Sequence, residues 1–365
     1  YLGDKSKEQT YILYPVGRHL GICTPMDNKA TAGSMSFVPL EREITAIAVS
    51  NNAKHVAVVE GISHDVKHRG VASSRISVFR LDAKEGGGVK GTPVKVLRLT
   101  EVPDVSFAEI ASIAWTPDDK HLIVQTGMPN WALCYWKWME QNDTAVWTQL
   151  DEAVTRVSVH PANNKLVVTS GPNLLCQWQV TTDTKEPKLE KNDVSLEGPR
   201  CRYTLGPSEE FTDHCWLVQK KKDKEGEEEA LEPKLLVGTS EGTLLIFRQG
   251  KLDYIMADYW KDTAIPGKDK AGRQDSAGEV EAWADRSITC CHALATGFAV
   301  ANAAGFVFVY EFAGAGLQFK REFQMKRSAT TDDHESPFVL RNRLCVKTPI
   351  PLSSTPDPPS MSGAN

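Results

Sequence analysis

"ITAIAVSNNAKHVAVVE" (44–60), "IASIAWTPDDKHLIVQT" (110–126) and "VTRVSVHPANNKLVVTS" (154–170) are three versions of one phrase. Each begins with an alternating apolar strand, crosses a polar turn and enters a second apolar strand. A Gly-containing turn then leads to a third strand ending on an aromatic: "SRISVFRL" (74–81), "ALCYWKW" (132–138), "LLCQWQV" (174–180), "TLLIFRQ" (243–249) and "FVFVYEF" (306–312). Self-similarity in units of roughly 40 residues, each built from four strands, is the mark of a β-propeller. The fold class predicted is therefore all-β.

Five stretches read as the inner strand of a blade, at 45–50, 112–116, 156–160, 214–218 and 289–294. They alternate apolar with small or polar residues, as a half-buried strand does. Three are followed by "SNNAK", "TPDDK" and "HPANNK", whose Asn, Asp and Pro favour tight turns by pre-setting φ or bonding their own backbone. "KVLRLT" (95–100) and "TAVWTQL" (144–150) are the best candidates for a fourth, outer strand. Before the first full blade, "TYILYPVGRHLGICTP" (10–25) and "SMSFVPL" (34–40) supply three strands without an inner one. The expectation is one partial and five fuller blades, about six of an expected seven. A closing blade lies either in 339–350 or outside this chain. Residues 1–350 are expected to form one propeller domain and 351–365, Pro/Ser-rich, a disordered tail. Residues 277–286 are the one short helix expected. An incomplete ring exposes strand edges, so the chain is expected to be a piece of a longer protein.

Composition narrows the function. A net charge of −5 over 365 residues argues against nucleic-acid binding. Eight cysteines without framework spacing, several in strand patterns, argue for a reducing compartment. The longest apolar run, 298–310, is shorter than the roughly 20 residues needed to cross a bilayer, so no membrane association is expected.

Four motifs invite a chemical reading, and each has a plainer one. "GTSEG" (238–242) matches the nucleophile-elbow pattern with Ser240 as nucleophile, but that chemistry needs a strand–turn–helix, and "TLLIF" follows. "GGGVKG" (86–91) matches a dinucleotide-binding loop, but it too precedes a strand and not a helix. His64 and His68 have the i, i+4 spacing of a zinc pair without a third ligand nearby. "KKKDKEGEEE" (220–229) reads as a solvated loop, and Lys220, Lys221 and Lys222 are the candidate partner-binding residues, suited to an acidic partner such as a tubulin tail. Neither catalytic residues nor a cofactor or metal site is expected.

Trp136 and Trp178 stand where a WD repeat has its named tryptophan, with Phe79, Phe247 and Tyr310 in the same slot elsewhere. Neither the Trp-Asp nor the Gly-His dipeptide occurs, so the repeats are degenerate and apolar packing must hold them.

In order and content, "YILYPVGRHLGI", "ITAIAVSNNAKHVAVVE", "IASIAWTPDDKHLIVQTGMPNWALCYWKW", "VVTSGPNLLCQWQV" and "LLVGTSEGTLLIF" resemble the N-terminal WD-repeat region of the axonemal family of cilia- and flagella-associated protein 57. The resemblance runs over roughly residues 1–325 and is weaker in 61–75, 181–210 and 219–233. It implies a non-enzymatic scaffold in the cytoskeleton of motile cilia and flagella. Such a scaffold binds axonemal proteins and helps position inner-arm dyneins and regulatory complexes on doublet microtubules. It implies no nucleic acid, membrane or small-molecule substrate as partner. Two other readings stand beside it. One is a generic cytosolic WD-repeat scaffold of another multiprotein complex, or another axonemal WD-repeat tether component. The other is a propeller enzyme, which needs ionisable groups converging at inner-strand ends where only His160, His214 and His292 are on offer.

Overall fold

The computed structural model describes residues 12–23, 35–62, 74–82, 88–89, 91–99, 109–128, 130–140, 145–181, 188–222, 228–256, 286–313, 316–325, 340–344 and 350–351. They form two compact units, residues 1–193 and 194–365, each with its own core. No α-helix occurs among the described residues; the helix expected over 277–286 falls almost wholly outside them.

Unit one holds four antiparallel sheets. The first is β1 (Ile12–Val16), β2 (His19–Cys23) and β3 (Met35–Pro39), the expected three-stranded partial blade. The second is β4 (Ile44–Val49), β5 (His55–Glu60) and β6 (Arg75–Asp82), with both β7 (Gly88–Val89) and β8 (Lys95–Arg98) paired to β6. The third is β9 (Ile110–Trp115), β10 (Leu122–Thr126), β11 (Ala132–Trp136) and β12 (Ala145–Gln149). The fourth is β13 (Arg156–Val159), β14 (Leu166–Gly171), β15 (Leu174–Thr181) and β16 (Lys188–Asp193).

Unit two continues the pattern. Its first sheet, the fifth of the chain, contains β17 (Phe211–Leu217), interrupted by the hairpin β18 (Lys220–Lys222) and β19 (Glu228–Ala230), then β20 (Lys234–Thr239), β21 (Leu244–Arg248) and β22 (Lys251–Met256). The sixth is β23 (Ile288–Leu294), β24 (Gly297–Asn302), β25 (Phe306–Ala313) and β26 (Gly316–Met325). Two further strands, β27 (Leu340–Leu344) and β28 (Ile350–Pro351), pair with β26. Within the stretch 339–350, the described residues 340–344 and 350 lengthen the outer edge of the sixth sheet. Of the proposed tail, 352–365 lie outside the described residues.

The period-2 pattern explains why sheets stack as they do. Leu122 and Val124 of β10 face the second sheet and join a core with Ala57, Val59, Ile76, Val78 and Leu97. Ile123, between them, points the other way and joins Val157, Val167 and Trp178 of the fourth. Leu20, Ile22 and Val38 bury one face of the first sheet on Ile44, Val56, Val58 and Phe79. In unit two Leu236, Leu244 and Ile246 meet Phe298, Phe308 and Tyr310 in the same manner. Central strands are thus buried on both faces and read as near-continuous apolar runs. Close approach is also needed at single points within the sheets: a side chain on Gly171 would collide with the carbonyl of Ala153, and one on Gly198 with that of Leu252.

Candidate interaction surfaces

The five aromatic slots are filled as expected. Trp136, Trp178, Phe79, Phe247 and Tyr310 are all at most 5% exposed. Each lies opposite a hydrophobic residue near the start of its second strand: Leu122, Val167, Val56, Leu235 and Phe298. Two residues further along those strands stand Val124, Thr169, Val58, Val237 and Val300. Only one is a hydroxyl, and of the two indoles in these slots the one beside it finds a bond: Trp178 Nε1 donates to Thr169 Oγ1 at 2.9 Å. Trp136 Nε1, facing Val124, is buried without an acceptor.

The turns between first and second strands in unit one form a linked row. In each, the backbone N–H of a lysine donates to the Asx side chain two residues before it: Lys54 to Asn52 at 2.8 Å, Lys120 to Asp118 at 3.2 Å, Lys165 to Asn163 at 3.0 Å. Neighbouring turns are then tied to one another. Asn52 N donates to Asp119 Oδ2 at 2.8 Å, and Asp118 N donates to Asn164 Oδ1 at 3.2 Å, the same link one blade along. Asp119 also accepts from Asn51 N at 2.7 Å, while its own carbonyl accepts from Trp138 Nε1 at 2.8 Å. Asp119 holds this position at φ 57°, a left-handed conformation that Asp tolerates better than most residues.

Two histidines sit behind these turns. His55 packs edge-on to Trp138, ring centroids 5.0 Å apart, and His121 lies 4.4 Å from Tyr135. Burial is the main influence on both imidazoles and lowers their pKa below 6.5, with Asp119 pulling His55 the other way and Asp118 doing so for His121.

The opposite side of unit one is fixed by a buried acid. Glu60, 1% exposed, accepts from Arg75 Nε and Nη2 at 2.9 and 2.8 Å and from Ser77 Oγ at 2.6 Å. Those bonds, Glu60 first, raise the pKa of the Arg75 guanidinium, which also reaches Glu41 at 2.8 Å. In unit two, Tyr203 Oη donates to Glu209 Oε1 at 2.5 Å and Gly206 N donates to Glu209 Oε2 at 3.1 Å, anchoring the segment that leads into β17. Burial, and then Glu209, push the Tyr203 hydroxyl up to about 12. That network falls in 181–210, where the family resemblance is weaker.

Of the four motifs, the one around Ser240 takes its plain reading as a strand-to-strand turn. Ser240 lies in the turn from β20 to β21, and its Oγ accepts from Glu210 N at 2.9 Å. Gly88–Val89 pair with β6, and the strand β8 follows. His64 and His68 lie outside the described residues. His214 is fully buried, His160 Nδ1 accepts from Ala162 N at 3.1 Å, and His292 is exposed. Among the described residues, no three His, Cys, Asp or Glu side chains group as metal ligands do. Lys220–Lys222 were read as loop; their backbone instead forms β18, registered with Glu228–Ala230, a two-stranded extension between β17 and β20. The seven described cysteines carry no disulfide. Burial pushes the Cys134 thiol up to about 12 and the Cys176 thiol to about 11, while Cys290 is exposed.

Successive antiparallel meanders, mostly of four strands and five of them with an aromatic buried on the third strand, define a WD-repeat β-propeller with degenerate repeats. Comparison with known proteins gives, among others, three likenesses. The chain is 20% identical over 250 residues to mouse cilia- and flagella-associated protein 57; the match takes in 67% of this chain and 16% of the mouse protein. A chain in the crystal structure of a mitotic checkpoint complex superposes over 86% of this chain and 74% of its own, with TM-score 0.51 at 8% identity. The β-propeller domain of Cps50 (Swd1) from Myceliophteria thermophila covers 84% of this chain and 73% of its own, with TM-score 0.45 at 12% identity. No protein-family model matches the chain.

Proposed function

We propose that this protein is a non-enzymatic scaffold of the motile ciliary or flagellar axoneme, a propeller platform that binds other axonemal proteins. In this reading it helps position inner-arm dyneins and regulatory complexes on doublet microtubules. The likeness to mouse cilia- and flagella-associated protein 57 over two thirds of the chain is the observation that carries it. The fold supplies the mechanism. Turns already fixed to one another lose little conformational entropy when a partner docks, so more of the contact energy appears as affinity. The β18–β19 hairpin is the proposed contact for an acidic partner, with Lys220, Lys221 and Lys222 meeting the glutamates of a tubulin tail.

Expression of the tagged full-length protein in a flagellate tests the location: axonemal signal is expected, and a purely cytosolic or nuclear signal overturns the reading in favour of a scaffold in another complex. For the hairpin, charge reversal of all three lysines to Glu is expected to abolish salt-sensitive co-sedimentation with microtubules. Unchanged co-sedimentation removes the hairpin from the interface.

A further inference from the structure

We propose that the groove between the third and fourth sheets of unit one docks a short extended peptide of another protein, one carrying a bulky apolar side chain next to a lysine or arginine. The cavity measures about 280 Å³ and has Leu150, Leu174, Trp178 and Leu189 among its lining residues. Asp151 and Glu152 stand on one lip, both exposed, and among the described residues neither has an ion-pair or hydrogen-bond partner. Lys191 on the other lip lies 4.0 Å from Asp193. A groove of mixed lining, with apolar side chains beside two solvent-facing carboxylates, is complementary to an apolar anchor flanked by a cation.

The backbone on either side selects an extended occupant. The groove runs between β12 and β16, the outermost strands of their sheets, whose outer edges no described strand pairs. Two other outer edges, those of β22 and β26, are covered by the chain itself. Ser195 N donates to Gly250 O and Leu252 N donates to Ser195 O, so residues 195–198 run along β22. The outer edge of β26 takes β27 and β28. An uncovered edge is a template for strand addition, with backbone bonds supplying affinity and a side-chain pocket supplying selectivity. Residues 351–365, "PLSSTPDPPSMSGAN", contain four prolines and no lysine or arginine, which is the wrong chemistry for this groove.

This site goes beyond the axonemal reading and does not depend on it, since its test is indifferent to where the protein resides. A random heptapeptide phage library is panned against the immobilised full chain, and the consensus peptide is made with a fluorescein label and titrated by anisotropy. The expected consensus is an apolar residue next to Lys or Arg. Asp151→Lys with Glu152→Lys is expected to weaken binding about tenfold or more, and Leu189→Asp to do the same at unchanged circular dichroism. No consensus, a consensus without the cation, or an affinity indifferent to both variants overturns the proposal.

Discussion

Val124 and Thr169 occupy one position in two successive blades, and they decide whether a buried indole has a partner. A buried donor left unsatisfied costs about 1–3 kcal/mol. Thr169→Val is therefore expected to lower unfolding free energy by about that amount, because it strands Trp178 Nε1. Val124→Thr, in a fully buried site where a new hydroxyl ordinarily destabilises, is expected to be neutral or stabilising, because it hands Trp136 Nε1 its missing acceptor. Urea unfolding of the two variants checks both. His55 and His121 give the pH dependence. Their folded pKa values lie below 6.5, so the unfolded chain takes up these protons first as pH falls. Their contribution is intact above about pH 6.5 and declines below it, until the folded imidazoles are protonated as well. The urea midpoint should fall less between pH 7.5 and 5.5 in a His55→Gln, His121→Gln variant than in the parent.

Tight turns were legible at the level of the element, because Asn, Asp and Pro cluster between apolar strands in three places. The bonds from one turn to the next were not, since Asn51 and Asp119 are 68 residues apart and nothing local marks them as partners. Outer strands divided in the same way. β8 and β12 carry apolar residues and were found; β16, "KLEKND", is almost wholly polar because only Leu189 is turned toward the interior, and it left no pattern to read. The β18–β19 hairpin was hidden for a related reason, since a run of like charges reads as loop whatever its backbone does. Asp119→Ala is expected to cost about 1–2 kcal/mol by removing the caps on Asn51 and Asn52. Hydrogen exchange checks it: those two amides should lose protection while β9 and β10 keep theirs.

For the whole molecule, repetition was the readable signal, and it carried the architecture; the candidate groove was not readable, since it needs the outer strands of two blades at once. The first sheet sets a further expectation. It buries Leu20, Ile22 and Val38 on one face, while the other leaves Ile12, Met35 and Phe37 at 47, 59 and 49% exposure with no charge among them. Contiguous exposed apolar surface favours association, so Met35→Lys with Phe37→Lys should reduce light scattering in concentrated solution at an unchanged melting temperature. The disposition of the thiols has a practical consequence as well. Cys134 and Cys176 are sealed in the interior and hold their protons far above neutrality, whereas Cys290 faces solvent at the head of an inner strand. Of these three, a maleimide dye will react first at Cys290, which gives a native attachment point for a fluorophore in distance measurements without engineering a new one.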